Sequence, residues 1–344
     1  MNAPVLEISR AVFRANIAAI RSRLGSSQLM LVMKDDAYGH GIEWAVPAGE
    51  EAGVRWFGGY DIPSALRIRA LTSRRVYAWA TSSIEEVEAA LRADVELGVG
   101  SARYLRDVIA AAERLGTPVA LHLKIDTGLH RNGFRPEHWD EAVQIARTAE
   151  RRGSARIAGV WSHLAEASDA EDDAAQQVFL DAVRRLEATG DAPEVLHLTA
   201  SAAAWWRPEL RGSLSRIGAF CYGVRSADGP ALEGVRPIAR LVATVEEVRT
   251  DHVRLGIGSF HGLPSILRGA AVMTPAGPRG IIRIDGVSTA VETWPRASVG
   301  DRVVLFGPGD DGEPDATGLA ERIDTVGEEI LTRLTPAVAR VLTD

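Results

Sequence analysis

Along the first two thirds of the chain, short apolar runs alternate with longer amphipathic stretches. The runs fall at 29–34, 56–60, 76–80, 95–99, 119–126, 157–163, 195–199 and 214–219. Each is bounded by glycine or polar turn residues, as buried strands are. Between them, 42–52, 62–71, 84–92, 102–115, 137–152 and 172–188 carry apolar residues at helical spacing, and Arg10 to Leu24 shows a stripe at Val12, Ile17, Ile20 and Leu24. Strands separated by helices pair in parallel through right-handed crossovers, and eight such units in about 220 residues predict a closed (β/α)8 barrel of the TIM type. An open doubly wound sheet is the rival, but none of the eight strands is followed by its G-x-G-x-x-G loop.

After about Gly229 the pattern changes to two-residue alternation, at Leu241 to Val248, His252 to Ile257, Gly280 to Ile284 and Asp301 to Phe306. Thr250-Asp251 reads as a tight turn between the first two of these. A helix is expected from Thr317 to Val326, and a returning strand from Glu329 to Leu334. The fold class is therefore α/β, an N-terminal barrel over 1–228 followed by a C-terminal mainly-β domain over 229–344, with the first few residues free to join the β domain.

A length of 344 residues suits two domains. The net charge of −7 and pI near 5.7 exclude the basic surface of a nucleic-acid binder, so a small-molecule partner is expected. Cys221, the single cysteine, excludes an intrachain disulfide and suits a reducing cytoplasm, where it reads as a small buried hydrophobe. The N-terminus lacks an export pattern and no apolar stretch is long enough to span a bilayer, so a cytoplasmic protein with no membrane partner is expected. No metal site is expected either. The acidic run Asp169, Glu171, Asp172 and Asp173 complements a helix start.

In such a barrel the chemistry gathers where strands end. The first strand stops at Lys34, followed by Asp35-Asp36-Ala37-Tyr38-Gly39-His40-Gly41; the fifth runs into Lys124-Ile125-Asp126-Thr127-Gly128-Leu129-His130-Arg131-Asn132-Gly133-Phe134. The sixth ends in Trp161-Ser162-His163, the seventh in His197-Leu198-Thr199-Ala200-Ser201 and the eighth in Arg216-Ile217-Gly218-Ala219. A lysine ending an apolar strand is either a solvated terminus or a functional amine, and the glycine-punctuated loop after Lys34 favours the second. His163 and His197, taken alone, read as satisfied core histidines, and His40 as a brace for backbone. Together the rim residues suit a phosphate-bearing, carbonyl-type cofactor. The lysine can condense with the carbonyl, Ser201 and N–H groups near Gly218 can hold a phosphate, and an arginine can face a ring nitrogen or a carboxylate.

The segments 32–41, 124–134 and 216–223, together with Val299-Gly300-Asp301-Arg302-Val303-Val304-Leu305-Phe306-Gly307, resemble, in order, the signature segments of the alanine racemase family. The resemblance implies a pyridoxal 5′-phosphate (PLP) enzyme and a head-to-tail homodimer whose active sites take residues from both subunits. It implies that Lys34 forms the Schiff base and serves as one acid–base group, and that Tyr38 and Ser201 hold the phosphate beside Gly218 and Ala219. Arg216 would sit against the pyridine nitrogen, and His163 would support Arg216 or the ring face. Arg131 would meet the cofactor's phenolic oxygen and the substrate carboxylate, oriented by Lys124, which is a carbamate in some family members.

The β domain departs from the family. Ser259 stands where the family's second catalytic tyrosine, supplied by the partner subunit, is expected. A leucine near the C-terminus, Leu342, replaces a phosphate-contacting tyrosine, Ile284 replaces a substrate-side methionine although Asp285 persists, and Ala200 replaces an asparagine. Inverting a carbon centre needs a proton-transfer group on each face, each worth about 10²–10⁴-fold. A serine hydroxyl has no such capacity without its own base, so His261 is expected to reach that face or to activate Ser259. The leading expectation is a racemase or epimerase with an amino-acid substrate other than, or a range broader than, alanine. The alternatives are another PLP reaction on the same scaffold (decarboxylation, retro-aldol cleavage or one-face proton transfer) and a PLP-binding protein with little turnover. Arg131 weighs against the last.

Overall fold

The computed structural model describes residues 3–344. Contacts divide the chain into two compact units. One comprises Ile20–Lys34 and Ile42–Gly218; the other takes the residues up to Ala19, Asp35–Gly41 and Ala219–Asp344.

Strand β1 (Val5–Ser9) belongs to the second unit, and the next eight strands build the first. They are β2 (Gln28–Val32), β3 (Trp56–Gly58), β4 (Arg75–Ala78), β5 (Glu96–Val99), β6 (Val119–Lys124), β7 (Ala155–Trp161), β8 (Val195–His197) and β9 (Leu214–Ile217). All pair in parallel in the order β8-β7-β6-β5-β4-β3-β2-β9, so every expected barrel strand is present. Leu29 to Val32 are all buried, as strands covered on both faces must be. Apolar sequence overruns the ladder: Met33 stays buried after pairing stops and donates its N–H to Gly58 O at 2.8 Å. The β8–β9 seam carries no ladder. The Arg216 N–H donates to Thr199 O at 3.2 Å, and hydroxyls of Ser27, Ser215 and Thr199 form a chain at 2.9 and 3.1 Å.

Inside the barrel, Met30, Trp56, Tyr77, Trp161, Val195 and Leu214 make one apolar cluster. The outer helices match the sequence reading: Ile42–Glu51, Ile62–Arg69, Ile84–Arg92, Ala102–Leu115, Trp139–Arg151 and Asp169–Glu187. Their ends follow local rules, as where Ser83 and Glu86 form a capping box and Gly116 closes its helix at φ 64°.

The second unit holds β1 with β10 (Ala239–Val248), β11 (Val253–Leu255), β12 (Ala271–Thr274), β13 (Gly277–Ile284), β14 (Thr289–Val291), β15 (Arg302–Phe306) and β16 (Ala339–Thr343). Their order is β11-β14-β13-β12-β15-β10-β1-β16, and β10 also pairs with β11, so six of these strands curl into a closed ring. The turn at Thr250-Asp251 is present, with the Arg249 N–H donating to His252 O at 2.9 Å. The expected strand at Glu329 to Leu334 is instead a helix, Gly327–Thr332. Ile330, Leu331 and Leu334 are buried at helical spacing and Glu329 pairs with Arg333 one turn on, a pattern too short to tell from alternation in the sequence.

Met30 is fully buried at the centre of the barrel cluster. Met30→Ala is expected to cost about 2–5 kcal/mol, read as a lower urea midpoint with an unchanged slope.

Candidate active site

Beyond β2 the backbone takes a course that periodicity and turn residues do not signal. Directly after Lys34, four consecutive non-glycine residues, Asp35, Asp36, Ala37 and Tyr38, adopt φ of 52–56°, a left-handed turn of helix. Each such residue costs about 1–2 kcal/mol in this region, so neighbours must hold it. Within the β unit they do. The Gly41 N–H donates to Asp36 O at 2.9 Å, His40 Nδ1 lies 2.8 Å from Ala37 O, and the His40 ring stacks on Tyr222 at 5.2 Å. Gly39, at φ 78°, is required because a Cβ there would come 2.9 Å from Leu331 O. Tyr38 is buried 5.0 Å from the Tyr222 ring. Its hydroxyl is pushed well above the ordinary phenol range by burial, then by Glu328, Cys221 and Asp35, against a hydrogen bond from the Ala219 backbone. Tyr38 and Ala219, both expected at the cofactor, are thus neighbours.

At the barrel rim, Lys124 ends β6 almost fully buried, its Nζ 4.6 Å from the centre of the Trp161 ring. Burial, then Arg131 and Arg216, lower its pKa to about 8. The following loop is organised by Asp126, whose Oδ1 accepts N–H groups of Gly128 and His130 at 3.2 and 3.0 Å while Oδ2 meets His130 Nδ1 at 3.0 Å. Phe134 returns the chain, donating to Lys124 O at 2.8 Å. Arg131 is left exposed at the tip.

Arg216 is buried, its guanidinium carbon 5.2 Å from the centre of the Trp161 ring. Nη1 donates to His197 O and to His197 Nδ1 at 3.2 Å; Nη2 donates to Ser162 O at 2.7 Å, Leu198 O at 3.2 Å and His163 Nδ1 at 3.3 Å. Nε–H donates to none of these acceptors. Burial lowers the guanidinium to about 10, which leaves it charged at neutral pH. His163 is driven the other way, to about 3, by burial and then by Arg216, Arg131, Lys124 and Lys34, so it is a neutral acceptor inside a cluster of cations. Ser201 accepts the Gly218 N–H at 3.2 Å. The barrel unit therefore brings Lys34, Lys124, Arg131, His163 and Arg216 into one electrostatic neighbourhood and pairs Ser201 with Gly218.

In the β unit, Ser259-Phe260-His261 form a short 3-10 turn, pinned where the Ser259 and Phe260 N–H groups donate to Asp285 O and Gly286 O at 2.8 and 2.7 Å. His261 Nδ1 accepts the Gly258 N–H at 3.0 Å. Its proton therefore sits on Nε2, and among the described residues the imidazole makes no hydrogen bond to Ser259 Oγ. Of the two expectations for His261, activation of Ser259 has no bond to carry it. Ile284 is buried, and Asp285 is engaged by Arg283 Nε at 2.9 Å.

Sequence reasoning missed Glu96, His122, Asp126 and Trp161, and left His197 as a bland core residue. The signal was available: Glu96, His122 and His197 are polar residues inside barrel strands, and such groups need partners when buried.

The model of the alanine racemase N-terminal domain matches residues 8–226, and that of its C-terminal domain matches 250–342. The chain is 34% identical to an alanine racemase of Thermobifida fusca (strain YX) and 35% identical to one of Beutenbergia cavernae, covering 95% of itself in both cases and 95% and 94% of those proteins. The solved structure of alanine racemase from Streptomyces coelicolor A3(2) superposes with a TM-score of 0.94 at 30% identity, over 99% of this chain and 98% of that one.

His163 and His40 are held at about 3 and about 4, against 6.5 when unfolded. Both folded values are depressed, so between these limits the unfolded chain binds more protons, and stability present above pH 6.5 is lost as pH falls toward 3–4. The melting temperature should drop across that window, and His163→Gln should make the drop shallower. An unchanged slope in the variant would remove His163 from the account.

Proposed function

Because the chain belongs to the alanine racemase family, we propose that it moves the Cα proton of an amino acid between the two faces of that carbon, with PLP bound at the barrel rim through Lys34. When bound, PLP supplies an aldehyde that links to an amine and a ring that draws electrons from Cα. The observation that supports this most directly is the concentration of cations around Trp161 and His163, since such a rim suits an anionic cofactor and an anionic substrate. The donor set fits. Arg216 keeps an Nε–H edge beyond its backbone partners, and a charged guanidinium facing a ring nitrogen disfavours a proton there.

In this reading Lys34 Nζ takes or returns the proton on one face of Cα. Arg131 holds the substrate carboxylate, and Lys124, neutral in part near its pKa of about 8, is poised for carbamate formation that would orient Arg131. Ser201 and the Gly218 backbone contact the phosphate, Tyr38 and Ala219 keep their family role as cofactor contacts, His163 supports Arg216, and Ile284 borders the substrate. The protein acts in the cytoplasm as a head-to-tail homodimer. Phe260, Ile266 and Val287, 73%, 69% and 60% exposed, are apolar residues of the β unit that such an interface would cover. Small-angle scattering of the protein in solution tests the assembly.

Borohydride treatment of the PLP-loaded protein, followed by peptide mass analysis, should place a reduced cofactor on Lys34, and Lys34→Ala should abolish it. A label elsewhere, or none, would overturn the reading.

A second reading, one-face proton transfer or another PLP reaction, is favoured by one feature: Ser259 replaces the expected tyrosine, and the His261 nitrogen that could serve as a base is occupied by the Gly258 N–H. Incubation with single amino acids in deuterated water separates the two. Solvent deuterium at Cα with growth of the opposite enantiomer supports racemisation, deuterium with retained configuration supports one-face transfer, and carbon dioxide or aldehyde release supports cleavage. For a racemase, His261→Ala should slow exchange on one face only, by about 10²–10⁴-fold. Equal exchange on both faces in that variant would dismiss His261.

A further inference from the structure

We propose that Glu96 and His122 are positioning residues for Arg216, acting through His197 as a proton-ordered relay inside the barrel. The relay runs from the first residue of β5 to the rim. Glu96 Oε2 and His122 Nε2 are 2.8 Å apart, His122 Nδ1 and His197 Nε2 are 2.8 Å apart, and Arg216 Nη1 lies 3.2 Å from His197 Nδ1. Its two ends fix its direction. A guanidinium only donates, so His197 Nδ1 accepts and the His197 proton sits on Nε2. That proton is donated to His122 Nδ1, which places the His122 proton on Nε2, where a carboxylate that only accepts receives it. Any other tautomer sets N–H against N–H in a site that water does not reach, since His122 and His197 are both fully buried.

The carboxylate end is built to stay ionised. Arg75 grips Glu96 with two nitrogens, Nη2 to Oε2 at 2.8 Å and Nε to Oε1, and is itself held by Glu194 at 2.7 Å and by the Trp56 face at 3.9 Å. Against the opposing effect of burial, His122 and Arg75 hold Glu96 down at about 2. The rings have no freedom to turn. His122 lies 4.6 Å from Tyr77, and His197 stacks on Trp161 at 5.8 Å and 8°. Gly159 makes room: a Cβ there would fall 2.4 Å from His122 Nδ1, the atom that receives the His197 proton. The consequence at the rim is that His197 offers Arg216 a lone pair and never a proton. The guanidinium therefore keeps its Nη1 on the barrel wall and its Nε–H edge toward the place assigned above to the ring nitrogen. Only this last step rests on the proposed cofactor; the relay itself does not.

The test reads tautomers directly. In protein labelled with 15N-histidine, both as purified and stripped of cofactor, long-range proton–nitrogen spectra near neutral pH should show His122 and His197 neutral and protonated at Nε2. Glu96→Gln, whose amide both donates and accepts, should shift at least one of them toward Nδ1–H and should weaken PLP binding, followed by tryptophan fluorescence, by about tenfold. Gly159→Ala keeps the carboxylate but displaces His122, and should give the same tautomer change and the same loss. An Nδ1–H or imidazolium form of His197 in the parent protein would overturn the relay. So would a Glu96→Gln protein that melts earlier yet keeps parental tautomers and PLP affinity. A parent protein with the expected tautomers that binds no PLP would instead sink the functional reading and leave the relay standing.

Discussion

A positive charge inside the barrel, the guanidinium of Arg216, is the constraint to which the rest of the barrel unit answers. Burying such a group is expensive unless its donors are met. They are met by carbonyls of Ser162, His197 and Leu198, which lie where β7 and β8 have ended. Here too the ladder is missing between β8 and β9. The side chain of one strand thus reinforces the sparse backbone and hydroxyl bonding of the β8–β9 seam, and the same residue charges the rim.

The neighbours of that cation follow from it. His163 has no means of sharing this space as an imidazolium, so it serves as a neutral acceptor. Lys124 loses basicity for the same reason and rests on the Trp161 face, where a ring quadrupole partly replaces water. Lys34 reaches the rim by another device, a left-handed turn that reverses the chain at once and is stabilised by Tyr38, His40 and Gly39 packing within the β unit. Strain of this kind persists where surrounding structure over-determines it, which is common beside reacting groups.

The β unit matches the family's C-terminal domain, and its exposed turn at Ser259 is fixed by backbone hydrogen bonds. Gly258 is irreplaceable on geometric grounds, because a Cβ would come 2.3 Å from Asp285 O, and the turn it opens presents Ser259 and Phe260 outward. The shape of this turn does not depend on which side chain stands at position 259. Scaffold and chemistry are separable here because backbone hydrogen bonds to Asp285 and Gly286, not the displayed side chain, hold the turn.

Periodicity alone determined the eight barrel strands, their helices and the shift to a β domain, because those elements are long enough for burial to write a regular pattern. Ordered motifs at strand ends gave the family and most rim residues. Strand β16, the helix at Gly327–Thr332 and the left-handed turn were not legible, since each is short and fixed by contacts distant in sequence. Glu96, His122 and His197, scattered over three strands, were legible as buried polar residues in need of partners, but not as partners of one another: only closure of the sheet into a barrel sets their nitrogens and oxygen at hydrogen-bonding distance, where low polarity makes the pairing matter.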